Sequence, residues 1–250
     1  MSEGAREEGA TPLPGERLYF RQLLAGRDIA ARDPIARQMV NFVYLIGDRV
    51  TREAVVVDPA YAPGELLDIL EEDGMQLVGA LATHYHADHV GGNLFGSCTI
   101  AGVADLLERI SVPIHVQRDE TPWVVQAAGV GRDELVEHDA DDVVTVGAVP
   151  IRLVHTPGHT PGSQCFLVEG RLVAGDTLFL NGCGRTDLPG SDPAAMYESL
   201  ARLARLPDET VVYPGHLYSA EPSATLGETK EWNPVLAPRS PEEWLRIFAG

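Results

Sequence analysis

Between Thr83 and Gly92 the chain reads Thr-His-Tyr-His-Ala-Asp-His-Val-Gly-Gly, which sets His84, His86, Asp88 and His89 within six residues. Three imidazoles and a carboxylate this close are ill suited to a packed core, where each polar atom needs its own partner. They suit a divalent cation, because neutral imidazole and carboxylate are the ligands that zinc and its neighbours take. Three more candidates stand in similar settings. His159 lies in His155-Thr-Pro-Gly-His-Thr-Pro-Gly162, Asp176 follows Val173-Ala-Gly175, and His216 follows Tyr213-Pro-Gly215. Two cations about 3.5–4 Å apart would share a bridging oxygen and lower the pKa of bound water towards 7, the chemistry of carbonyl hydrolysis.

Such ligands need strands to aim them. The apolar run Leu77 to Ala82 reads as a buried strand ending on the histidines. Pro150 to Val154, Leu172 to Ala174 and Val211 to Tyr213 read as strands ahead of His159, Asp176 and His216. Glycine or proline beside each ligand lets the backbone turn sharply after its strand. If these strands leave their sheets at one rim, the ligands meet. Leu18 to Leu24 is expected as a first edge strand, and Val40 to Ile46 with Ala54 to Val57 as a hairpin closed by Asp58-Pro59. Pro63 to Asp73 and Asp192 to Leu206 carry helical apolar spacing, the second with Asp192 as cap and Pro193 in its first turn. The alternation implies a mixed α/β layer structure.

Residues 1–16 are small, polar and acidic, and are expected to be a flexible tail ahead of one domain over 17–250. Residues 93–142 read as a helical, acidic insertion, with helices over Val103 to Ile110 and Thr121 to Ala128, a strand over Pro113 to Val116, and eight acidic and two basic residues from Arg118 to Asp142. That charge fits either a flap near the site or an ordinary exposed segment.

The net charge of −18 argues against nucleic acid and against an anionic membrane surface. Lys230 is the sole lysine beside 18 arginines, which fits biased genomic composition. Three widely spaced cysteines, Cys98, Cys165 and Cys183, form no disulfide framework and point to a reducing cytoplasm. No apolar run approaches the roughly 20 residues that span a bilayer.

Across residues 38–235 the chain resembles the metallo-β-lactamase superfamily. The resemblance implies an αββα sandwich of two mixed sheets flanked by helices. It also implies His84, His86 and His159 around one metal, Asp88, His89 and His216 around a second, and Asp176 bridging them. Asp88 and Asp176 are then the candidate catalytic carboxylates. The family's diiron flavoprotein branch is less similar, since it commonly has glutamate at the position of His86.

The segment Gly182-Cys-Gly-Arg-Thr-Asp-Leu-Pro-Gly190 is similar to loops in glyoxalase II-like thioester hydrolases and in persulfide dioxygenases. Both act on glutathione derivatives. The hydrolase reading uses two divalent ions (zinc, iron or manganese), whereas the dioxygenase reading uses a single Fe(II) on His84, His159 and Asp176. A third reading is a metal-stabilised binding protein without catalysis. Arg185 either holds a substrate carboxylate through its planar fork or braces its loop by pairing with Asp187. Tyr218, two residues past His216, is expected to line the pocket. Cys183 has no flanking base and is read as a bystander thiol. His155, His115 and His138 are read as structural or exposed. The partner is a small molecule, and a homo-oligomer is compatible with the sequence.

Overall fold

In the computed structural model, residues 17–248 other than 95, 97 and 239 are described. The expected tail, 1–16, lies outside them. The strands are β1 (Leu18–Leu24), β2 (Phe42–Asp48), β3 (Glu53–Val57), β4 (Gln76–Leu81), β5 (Gly92–Leu94), β6 (Cys98–Ile100), β7 (Ile114–Gln117) and β8 (Leu135–His138), followed by β9 (Val143–Val146), β10 (Val149–His155), β11 (Gln164–Val168), β12 (Arg171–Gly175), β13 (Val211–Pro214) and β14 (Ala224–Thr225). They form two six-stranded sheets, ordered β1-β2-β3-β4-β7-β8 and β14-β13-β12-β11-β10-β9, with β5 and β6 as a separate hairpin. Both sheets are mixed. In the first, β3, β4, β7 and β8 run parallel, and in the second only β12 and β13 do.

The sheets face each other. Tyr44, Ile46, Val57 and Leu81 of the first pack with Val146, Ile151, Leu153 and Phe166 of the second. Full burial of Leu81 or Phe166 is worth roughly 1.5–3 kcal/mol each. Helices cover the outer faces. On the first sheet lie α1 (Pro34–Met39), α2 (Pro63–Glu72), α4 (Val103–Leu107) and α5 (Thr121–Ala128), with the short α3 (Ala87–Val90) at the rim. On the second lie α6 (Pro193–Leu203), α7 (Leu226–Trp232) and α8 (Pro241–Phe248). The αββα expectation therefore holds.

Local chemistry explains the boundaries. Asp192 caps α6 by accepting from the amides of Ala194 and Ala195, and Met196, Leu200 and Leu203 form its buried stripe. Asp33 caps α1 in the same way, and Val40 ends that helix in a left-handed conformation, φ 50°. This sharp exit sends Asn41 into the site, and β2 begins at Phe42, two residues later than expected. Residues 93–142 hold helices α4 and α5 and the strand β7 as read, but β8 is an addition, and β7 and β8 together complete the parallel half of the first sheet.

Candidate metal centre

The seven candidate ligands converge at the rim where both sheets end. His84 follows β4, and His86, Asp88 and His89 follow within α3 or its cap. His159, Asp176 and His216 follow β10, β12 and β13. Three overlapping groups have donor atoms within 4.8 Å of one another: His84, His86 and His159; His84, His89 and Asp176; and Asp88, His89 and His216. In the first, His86 Nδ1 lies 3.0 Å from His84 Nε2 and 3.0 Å from His159 Nε2. In the last, His89 Nε2 and His216 Nε2 are 3.2 Å apart, with Asp88 Oδ2 3.4 Å from His216. Asp176 stands between the groups. Its Oδ1 is 3.4 Å from His89 Nε2, and its Oδ2 is 3.6 Å from His159 and 3.4 Å from His216.

Four of the five imidazoles are anchored through the nitrogen that faces away from the cluster. His84 Nδ1 meets Thr83 Oγ1 at 2.9 Å, and His89 Nδ1 meets Asp58 Oδ2 at 2.8 Å. His159 Nδ1 reaches the Arg185 carbonyl at 2.8 Å, and His216 Nδ1 the Met39 carbonyl at 2.7 Å. Such contacts fix the ring and leave Nε2 for a metal. Two glycines keep the cradle open. A Cβ at Gly215 would stand 2.3 Å from Asp176 Oδ1, and one at Gly184 would stand 2.8 Å from the His159 ring.

These residues fit a cation. Asp176 Oδ1 is buried without a hydrogen-bond partner, a costly state that a metal would relieve. Burial, then the neighbouring histidines, holds His84 well below the usual imidazole range, and burial with His159 pushes His86 down to about 4. Those rings are neutral and ready to coordinate. Burial opposes ionisation of Asp176, but His216 and His89 override it and keep the carboxylate charged. Burial would also depress His89, yet Asp88 and Asp176 outweigh it and push the ring up to about 10. The carboxylates demand a positive charge, which a proton on His89 or a metal can meet.

Three supporting residues escaped the sequence reading. Asp58, read only as a strand breaker, accepts from Thr83 N at 2.8 Å and Thr83 Oγ1 at 2.7 Å while holding His89. Asn41 donates to Asp88 Oδ2 at 3.0 Å, and its own carbonyl accepts from the Tyr61 hydroxyl at 3.0 Å. Glu120 belongs to the acidic run expected at the surface, yet it is 1% exposed. The signal for Asp58 was an acid at the end of a fully apolar strand. Asn41 and Glu120 carried no comparable signal.

A cleft of about 690 Å³ opens over the cluster. Tyr85, Leu94, Phe179, Leu188 and Tyr218 supply apolar wall, and Asn93 and Asn181 supply amides. Tyr218 stacks on His216 with ring centroids 4.7 Å apart and 9° between planes. Arg185 lines the cleft, with its guanidinium bidentate on Asp187 at 2.8 Å for both bonds. Cys183 also lines it, but burial pushes the thiol up to about 12, so it is no nucleophile at neutral pH. His155 Nε2 meets the Pro161 carbonyl at 3.0 Å and braces the His159 loop. His115 and His138 pair with each other, away from the site. Among the described residues, no helix is long and apolar enough to cross a membrane, and the three cysteines are free.

The family model for the metallo-beta-lactamase superfamily matches residues 37–96 and 100–216, a span that includes all seven ligands. The chain belongs to the metallo-β-lactamase superfamily. Within it, the chain is similar to ETHE1 from Myxococcus xanthus in its crystal structure, with a TM-score of 0.74 and 32% identity, covering 93% of this chain and 90% of that one. It is 38% identical over 201 residues to a hydroxyacylglutathione hydrolase of Alkalilimnicola ehrlichii, covering 80% of this chain and 70% of that protein. TTHA1623, solved in a di-iron-bound form, has a TM-score of 0.62 and 31% identity, covering 78% and 95% respectively. As a superfamily member, the chain carries the metal-type histidine and aspartate cluster in place.

Proposed function

We propose that this superfamily member is a two-metal hydrolase that cleaves a thioester of a glutathione derivative. The observation that carries the reading is the completeness of both ligand groups, with Asp176 between them and outward anchors on both sides. Divalent ions held there supply Lewis acidity and lower the pKa of a coordinated water. The protein's own groups do the rest. Asp88, kept ionised against burial by His89 and His216, lines the cleft where it can orient and accept a proton from a nucleophilic water. Asn41 fixes the angle of that carboxylate. Phe179 and Tyr218 form an apolar wall beside the ligands, and Asn93 and Asn181 suit the amides of a peptide-like thiol. Arg185, on the cleft wall, is the cation available for a substrate carboxylate.

A second reading, a mononuclear-iron persulfide dioxygenase, is favoured by the likeness over nearly the whole chain to ETHE1, whose human form is named a persulfide dioxygenase. It would use His84, His159 and Asp176 as a two-histidine, one-carboxylate triad. Anaerobic purification, metal analysis and two assays separate the readings. About two metals per chain, with thiol release from S-lactoylglutathione, is the expected result. One iron, with oxygen uptake on glutathione persulfide and no thioester cleavage, would replace the hydrolase reading with the dioxygenase.

A further inference from the structure

We propose that Glu120 is a positioning residue that sets the spacing of the first ligand group by bolting together the two loops that carry it. Glu120 ends the turn Arg118–Glu120, between β7 and α5. Its Oε1 accepts from the amide of Tyr85 at 2.7 Å, and its Oε2 from the amide of Gly162 at 2.7 Å. Tyr85 sits between His84 and His86, on the loop leaving the first sheet. Gly162 closes the loop of His159, which leaves the second. One buried carboxylate therefore spans the junction across which three ligands must meet.

The fit is close on both sides. A Cβ at Gly162 would stand 2.4 Å from Glu120 N, so the second loop lies directly on the turn. Tyr85 also stacks on Trp123 of α5, with centroids 5.0 Å apart, which holds the first loop from the same side. Only a glutamate meets the requirement. Its two acceptor oxygens serve two amides, whereas glutamine has one acceptor oxygen and would turn an NH₂ towards one of them. Aspartate is a methylene shorter and cannot reach both. Ligand geometry tolerates only about 0.5 Å of drift, so freeing either loop separates His159 from His84 and His86.

This inference rests on the ligand group and not on the reaction, because both readings above use His84 and His159. The test is chelator competition on the metal-loaded protein, with metal content followed by mass spectrometry and fold by circular dichroism. In Glu120→Gln, the metal phase that His86→Ala abolishes should be stripped at chelator concentrations at least about tenfold lower, in line with the usual cost of losing an outer-shell partner. The other phase and the spectrum should match wild type. A protein that holds one metal should show the same shift in that metal. If Glu120→Gln does not fold, Glu120→Asp, which keeps the carboxyl group, should show the shift. A folded variant with the wild-type stripping curve overturns the proposal, and so does equal loosening of both phases.

Discussion

Arg185 serves two neighbours at once. Its backbone carbonyl orients His159, and its guanidinium is paired with Asp187. The ion pair is exposed, at 67% and 65% of the two side chains, so water screens it and a substrate carboxylate can displace Asp187. Arg185→Ala keeps the backbone carbonyl, and should therefore keep the metals while lowering kcat/KM for an anionic thioester by about tenfold. Asp187→Ala frees the fork and should raise it. Steady-state kinetics on both variants decides the matter, and an unchanged Arg185→Ala enzyme would leave the arginine as a loop brace. The residues that converge at the rim were legible in the sequence because coordination admits few residue types and the His-X-His-X-Asp-His spacing has few other uses. Asp58, Asn41 and Glu120 were not. A carboxylate that orients a ligand is written like one that breaks a strand or faces water, and only burial tells them apart.

Strands and helices were legible where apolar runs were long. The runs before His84, His159, Asp176 and His216 are strands in the structure, as is the edge strand β1. Short amphipathic pieces such as α1 and α8 were passed over, since six to eight residues give little periodicity to read. The acidic stretch misled for another reason. Apart from Glu137 on β8, its charges lie on loops and short turns, while the apolar halves of β7 and β8, Ile114, Val116 and Leu135, are buried. Those strands hold a testable pair. His115 Nδ1 lies 2.8 Å from His138 Nε2, and burial, then His138, pushes His115 from its ordinary 6.5 down to about 4. The unfolded chain binds that proton below about pH 6.5 and the folded chain does not, so the contribution is whole above pH 6.5 and is lost as pH falls towards 4. At pH 5 the loss is about 2 kcal/mol, or about 4–8 °C in Tm for a protein of this size. His115→Gln should reduce the fall in Tm between pH 7.5 and pH 5 by that amount. An identical fall in both proteins would show that the pair does not couple to folding.

On the scale of the molecule, a charge of −18 would repel an anionic substrate, so under the proposed function capture falls to the metals and to Arg185. The same cluster has a mechanical side. Four of its candidate ligands leave the first sheet and three leave the second, so each ion bound there would be a removable rivet through the seam of the sandwich. Ligand linkage sets its strength at about 4 kcal/mol when free metal exceeds its dissociation constant a thousandfold, which is about 8–16 °C of Tm. Stripping one metal should cost that much. It should also speed hydrogen exchange in residues 83–92, 156–163 and 176–191, while the strand centres of both sheets stay protected. Uniform acceleration across the sheets would mean that the ions hold the whole fold and not the seam alone. In the expected case, the scarcity of a metal in the cell would be felt first as a loosening of this one edge, long before the protein unfolds.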